Sequence, residues 1–185
     1  MSRVSDLVDA YAADLELSWN ARLSGGERVR MLVYPPDMER AIRAVLPKME
    51  MVTVQSGHGW SAIDITDEFG IWVAGHRHAE AFFEEPSELT PAIAEKFKAE
   101  LVVKLRDRIS VASDNDVVAV LGIGSIFPFL SAAGVIKSID EVVTGRLLVL
   151  FPGTHDPDNH SFRLLDARDG FDYRARVIDP QKEIA

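Results

Sequence analysis

The segment His155-Asp156-Pro157-Asp158-Asn159-His160 packs two imidazoles and two carboxylates into six residues, just after the apolar run Leu147 to Phe151. Imidazole and carboxylate groups ligate divalent metals and exchange protons near neutral pH. Parallel α/β sheets gather ligand sites at the C-terminal ends of their strands. His155 and Asp156, together with Asp64 near the end of the run Trp60 to Ile65, are therefore the candidates for acid–base or metal chemistry. Asp-Pro and Asp-Asn are also ordinary turn formers, which gives the segment a plainer reading as a surface turn. His76-Arg77-His78 is a second histidine cluster, and Gly57-His58-Gly59-Trp60 is a loop tip carrying an aromatic anchor.

A third feature is the turn Gly122-Ile123-Gly124-Ser125, which follows one apolar run and precedes another. Nucleotide-binding folds put phosphates at such a strand–turn–helix junction. A dinucleotide fingerprint, however, needs a small residue where Phe127 stands, and a phosphate-binding Gly-Lys-Ser/Thr occurs nowhere in the chain. A hydrolase nucleophile elbow needs glycines two residues either side of Ser125, where Ile123 and Phe127 stand. Close packing of backbone on the sheet explains the glycines better.

Those residues must be held by elements that the periodicity indicates. Val4, Leu7, Val8, Tyr11, Leu15 and Trp19 recur at helical spacing and predict a first helix, ended by Ser24-Gly25-Gly26. A strand over Arg28 to Tyr34, a turn at Pro35-Pro36-Asp37 and a helix from Met38 follow. Pro47 should end or kink that helix, and local propensity makes Met51 to Val54 a strand. Trp60 to Ile65 is the next strand, Asp67 and Glu68 open a short helix, and Thr90-Pro91 starts a long one with a hydroxyl N-cap. A buried strand Val117 to Leu121, a helix through about Val142 and a strand Leu147 to Phe151 follow, then a loop from Pro152 to His160. Ser161 to Leu165 and Asp172 to Ile178, joined at Asp169-Gly170, read as a closing antiparallel pair. Alternating strands and helices predict a three-layer α/β/α fold around a mainly parallel sheet, with an antiparallel C-terminal edge. A single domain over residues 1–185 is expected, with an N-terminal helix over 1–24 and a core over 28–178.

Composition narrows the function classes. The chain has 185 residues, 20 Lys+Arg against 29 Asp+Glu, a net charge of −9 and no cysteine. An acidic chain without a basic stripe disfavours direct nucleic-acid binding, and the missing cysteines exclude a thiol nucleophile. The acidity is uneven: residues 1–90 carry −7 and residues 91–185 carry −2. Arg163, Arg168, Arg174 and Arg176 fall close together on the last two strands expected. Val117 to Ile136 is uncharged over a membrane-spanning length, but Gly122, Gly124 and Pro128 break it into a strand and a helix. No membrane association and a cytoplasmic location are expected.

Three segments together resemble a known family. They are Leu121-Gly122-Ile123-Gly124-Ser125-Ile126-Phe127-Pro128-Phe129-Leu130, the strand end Val149-Leu150-Phe151-Pro152-Gly153, and Ser161-Phe162-Arg163-Leu164 with Tyr173-Arg174-Ala175. Tyr34-Pro35-Pro36-Asp37-Met38-Glu39 and Ile63-Asp64-Ile65-Thr66 add two N-terminal landmarks. In order and spacing these are similar to the B proteins of bacteriophage exclusion (BREX) systems, over most of Arg28 to Ile178. The chain departs from that pattern at Ser131-Ala132, where an arginine is common, and at Asp172-Tyr173, where two tyrosines are usual.

The resemblance implies a small cytoplasmic component of a phage-defence system, working beside a PglZ-type phosphatase-like protein, an ATPase and an adenine methyltransferase. It implies no catalytic residue and no cofactor, and it lets the second helix run through Pro47 to about Val54. The strand order also looks RecA/AAA-like or Rossmann-like, with Pro35-Pro36 where a phosphate loop would need backbone N–H groups that proline lacks. The expected role is a non-catalytic adaptor that docks its phosphatase-like partner through Trp60, His155, Tyr173 and Arg174. The alternative is a metal- or nucleotide-dependent enzyme using Asp64, His155 and Asp156.

Overall fold

The computed structural model describes residues 3–19, 23–165, 167 and 170–179. Helix α1 (Arg3–Leu15) is followed by a single turn α2 (Gly25–Arg28) that feeds strand β1 (Val29–Tyr34). Then come α3 (Glu39–Gln55), β2 (Gly59–Asp64), α4 (Glu68–Gly75), α5 (Ala79–Glu84) and α6 (Pro91–Ser110). The chain closes with β3 (Asp116–Leu121), α7 (Ala132–Ile139), β4 (Arg146–Asp156), β5 (Ser161–Leu164), β6 (Phe171–Asp172) and β7 (Arg176–Ile178).

Five strands form a parallel sheet in the order β2-β3-β4-β1-β7. The first strand lies between β4 and the last, the RecA/AAA-like of the two expected orders. Pleating sends alternate residues to opposite faces, and both faces are covered, so β1 is buried along its whole length. Met31 and Val33 join Phe97, Leu101 and Leu105 of α6 and Val135, Ile136 and Ile139 of α7 on one face. Leu32 and Tyr34 join Leu7, Val8, Tyr11 and Leu15 of α1 and Ile42 and Met49 of α3 on the other. The three-layer α/β/α arrangement is thus the one expected.

Several elements differ from their sequence reading. The first helix stops at Leu15 rather than near Leu23, because Arg146 takes the carbonyls of Asp14 and Leu17 and the Trp19 indole N–H donates to the Leu15 carbonyl. Residues 20–22 of the expected helix lie outside those described, as do residues 1, 2 and 180–185. Helix α3 runs unbroken through Pro47, so Met51 to Val54 is helical, as the resemblance implied, and not a strand. Thr90 precedes α6 without a side-chain cap; its carbonyl accepts the Ile93 and Ala94 N–H groups. Helix α7 begins only at Ala132, where the Ser131 hydroxyl accepts the Gly134 N–H, and it ends at Ile139. The stretch Val117 to Ile136 is therefore β3, a turn with a cis Phe127–Pro128 bond and the start of α7. No helix among the described residues is long and apolar enough to cross a membrane.

The C-terminal edge departs most. Strand β4 does not end at Phe151: Gly153 to Asp156 continue it and pair antiparallel with β5, leaving only residues 157–160 as a turn. Gly153 permits this, since a Cβ there would lie 2.0 Å from the Arg163 carbonyl oxygen. The expected closing pair splits in two: β6 is antiparallel to β5, while β7 crosses back and lies parallel to β1. The loop residue Asp169 and the neighbouring Arg168 fall outside the described residues.

Candidate functional site

Two depressions hold residues of suitable chemistry, one beyond the C-terminal ends of the sheet strands and one lined largely by the segments that lead into β1, β4 and β7. The first is a cleft of about 270 Å³ lined by Pro36, Glu39, Arg43, Thr66, Gly122 and Ser125 among others. Arg43, on the first turns of α3, is its hub. Its Nε donates to Glu39 Oε1 at 2.7 Å, its Nη1 to Asp64 Oδ2 at 2.6 Å and its Nη2 to Thr66 Oγ1 at 2.6 Å. The Tyr34 hydroxyl donates to the other Glu39 oxygen at 2.6 Å, and the Thr66 hydroxyl and N–H both donate to Asp64 Oδ1. Partial burial pulls the Asp64 carboxyl upward, but Arg43 and the two Thr66 donors outweigh it and hold it down at about 2. Burial, and then the Glu39 carboxylate, push the Tyr34 hydroxyl far above its ordinary range.

The glycine turn serves this architecture. Gly122 has φ of 81°, and a Cβ on it would stand 2.5 Å from the Thr66 hydroxyl. Ser125 donates back to the carbonyls of Gly122 and Ile65. A single 3-10 turn over Ile123–Ile126 follows directly and the next α-helix starts only at Ala132, so the turn opens no α-helix at whose N-terminus a phosphate would sit.

The second depression is a groove of about 800 Å³ between the β4–β5–β6 ribbon and the α2 and α7 ends. His155, Tyr173, Arg174, His160, Lys137 and Asp140 line it. Tyr173 is buried and donates its hydroxyl to Asp140 Oδ2 at 2.6 Å; burial, then that carboxylate, raise the phenol far above its usual range. The His155 ring packs against Phe162 with centroids 4.7 Å apart, and Arg174 is exposed.

The residues nominated from sequence thus separate. His155, Tyr173 and Arg174 meet in one groove. Trp60 does not join them: it lies within β2, half-buried and edge-on to Tyr11 at 6.4 Å, as part of the α1/α3 core face instead of a loop tip. Asp64 belongs to the Arg43 cleft. Asp156 accepts the Asn159 side-chain amide at 2.8 Å and the Asp158 N–H at 3.0 Å, and those bonds lower its carboxyl. It closes the turn after β4, as the plainer reading held. Asp64, His155 and Asp156 therefore sit in three different bonding environments.

His76 packs between Trp72 and Phe82, and His58 stacks on Trp19 with centroids 3.8 Å apart. Among the described residues no three His, Asp or Glu side chains are grouped to hold a metal ion. Arg43 went unnoticed in the sequence. Its pairing with Glu39 four residues earlier is a readable helix signal, but its bond to Asp64 joins positions 21 apart.

A family model described as BREX protein BrxB matches residues 67–178. The chain belongs to that family. The match runs from the start of α4 to the end of β7 and takes in Lys137, Asp140, His155, His160, Tyr173 and Arg174. The Arg43 cleft is split by it: Tyr34, Glu39, Arg43, Asp64 and Thr66 precede the BrxB match, and Gly122 and Ser125 lie within it. No curated protein and no solved structure matches the chain. BrxB membership makes the protein a component of a BREX phage-defence system.

Proposed function

We propose that the protein is a non-catalytic cytoplasmic adaptor of its BREX assembly, docking a PglZ-type phosphatase-like component through the groove of His155, Tyr173 and Arg174. The methyltransferase and ATPase of the system are further partners in this reading. The groove carries it: three of the four residues nominated for partner binding line one open depression that lies mostly inside the BrxB-matched segment. Its charge gives the partner's chemistry. Lys137 and Arg174 balance Asp140 and Asp172 in charge, and with Asp140 already accepting the Tyr173 hydroxyl, the exposed Arg174 guanidinium is the group offered to a carboxylate of the partner.

The test mixes the protein with the phosphatase-like protein of its own system at micromolar concentration and follows both by size-exclusion chromatography. Co-elution is expected. Arg174→Glu, at an exposed position, should weaken the complex about tenfold or more with an unchanged melting temperature. Two separate peaks for the unaltered pair would end the adaptor reading.

A further inference from the structure

The two edges of the parallel sheet differ. At one edge β7 has three residues; at the other β2 has six, with no proline or lysine and a single charge, Asp64, at its end. Natural sheets blunt an open edge with short strands, lysine or proline, because unpaired backbone groups are a template for another strand. The pairing of β2 with β3 says which groups are open. The Gly59 N–H donates to the Asn115 carbonyl and the Ile65 N–H to the Leu121 carbonyl, so Gly59, Ser61, Ile63 and Ile65 turn their backbone groups to β3. Trp60, Ala62 and Asp64 therefore turn theirs outward. Among the described residues, the one bond at this backbone edge runs from Arg108 Nη2 of α6 to the Ala62 carbonyl at 3.3 Å.

The side chains leave the edge accessible. Trp60 packs into the α1/α3 face and Ile63 into the α6/α7 face, while Ser61 and Ala62 are exposed. An added strand would bond to this backbone without displacing a core residue, and only the exposed Arg108 has to move. On the α6 side lies an open depression of about 310 Å³ whose lining includes Ile63, Leu101, Leu105, Asp107 and Arg108. Lys104, on the same wall, pairs with Glu68 at 2.8 Å. Asp107 and Arg108 have no ion-pair partner among the described residues.

We propose that β2 pairs antiparallel with β2 of a second copy of this chain, about a twofold axis at Ala62, so that one sheet runs through both copies. In this register Ala62 faces Ala62 of the second copy and Trp60 faces Asp64. Every outward residue thus meets an outward residue, as an exchanged pair of N–H···O bonds requires. The charges are self-complementary too, as an isologous contact demands. Arg108 reaches the Ala62 carbonyl and so stands at the axis. Two guanidiniums alone would repel there, but each has the unpaired Asp107 of the other copy across the same axis. A strand from another protein would have to bring those two charges in matching places, whereas a second copy brings them by symmetry. The contact goes beyond the adaptor reading and is separate from it, since no residue lining the Tyr173 groove lies on β2 or α6.

The unaltered chain is followed by sedimentation velocity across the micromolar range, where a monomer–dimer equilibrium is expected. Arg108→Asp should weaken the dimer about tenfold or more, and Asp107→Arg combined with Arg108→Asp, which restores opposite charges across the axis, should recover it. Both positions are exposed, so the melting temperatures of the dissociated variants should match. The chain has no cysteine, which makes a single introduced thiol specific. Facing residues of this kind hold their Cα atoms about 5.5 Å apart, within disulfide range. Under mild oxidation Ala62→Cys should give a covalent dimer, and Thr154→Cys, at an exposed position on the β4–β5 ribbon, should not.

A monomer at every concentration would overturn the proposal. So would a dimer that Arg108→Asp leaves unweakened, or cross-linking by Thr154→Cys equal to that by Ala62→Cys. A monomeric chain whose co-elution with the phosphatase-like protein is lost in Ala62→Pro would assign the edge to a strand of that protein instead. Arg174→Glu reports on the groove alone, so the dimer and the adaptor reading can fail independently.

Discussion

Asp64 shows how a residue of suitable type can be committed elsewhere by its neighbours. A general acid or base must exchange its proton near the working pH. Arg43 and Thr66 instead hold this carboxyl at about 2, ionised and bonded on both oxygens. Its folded-state value lies below the unfolded value of about 3.9, so the ionised group stabilises the fold above about pH 4 and loses that contribution as pH falls toward 2. The side chain is 48% exposed, and solvent screening limits the pair to about 1 kcal/mol or less. Asp64→Asn should therefore lower the melting temperature by a few degrees at neutral pH, with the gap to the unaltered protein closing between about pH 4 and pH 2. A gap of constant size down to pH 2 would show that the carboxylate charge is not what the position contributes.

Elements were legible where the local pattern and the tertiary demand agree. The buried runs of β1 and β3, the alternation of strands with helices and the start of α6 all follow from periodicity and turn chemistry. Pro47 was misleading because its missing N–H removes one bond, to the Arg43 carbonyl, from a 17-residue helix whose Ile42 and Met49 face is locked onto the sheet. A three-residue strand such as β7 carries too little pattern to say which neighbour it joins. The groove was partly legible for a related reason: His155, Tyr173 and Arg174 lie near one another in the C-terminal sequence, whereas Arg43–Asp64 and Asp14–Arg146 are long-range pairs. The ribbon that builds the groove depends on Gly153, where a Cβ would meet the Arg163 carbonyl oxygen at 2.0 Å and the Phe151 ring at 2.8 Å. Gly153→Ala should cost about 1–3 kcal/mol by forcing β4 and β5 apart. Partner co-elution should be lost while the parallel sheet still melts cooperatively. A variant that keeps both its melting temperature and its partner would place the docking surface elsewhere.

At the scale of the whole molecule, halves of the sequence are not halves of the structure. The charge of −7 before residue 91 and −2 after it divides the chain, but β1 and β2 from the first part lie in one sheet with β3, β4 and β7 from the second. The arginines that cluster near the C-terminus likewise differ in their partners: Arg174 lines the groove, and Arg176, at the start of β7, reaches Asp14. The same interleaving bears on the family match, which begins at Asp67 and so omits β1. Without β1, β4 and β7 share no neighbour. Val29, Met31, Leu32, Val33 and Tyr34 are each at most 8% exposed, and burying five such side chains is worth about 7–15 kcal/mol, comparable with the whole stability of a typical domain. Residues 67–178 produced alone should therefore show the circular dichroism of an unfolded chain and no cooperative thermal transition. The full chain should unfold in one transition, as the single-domain organisation expected over residues 1–185 requires. A fragment that melts cooperatively by itself would make everything before Asp67 a separable appendage and would break the single domain into two.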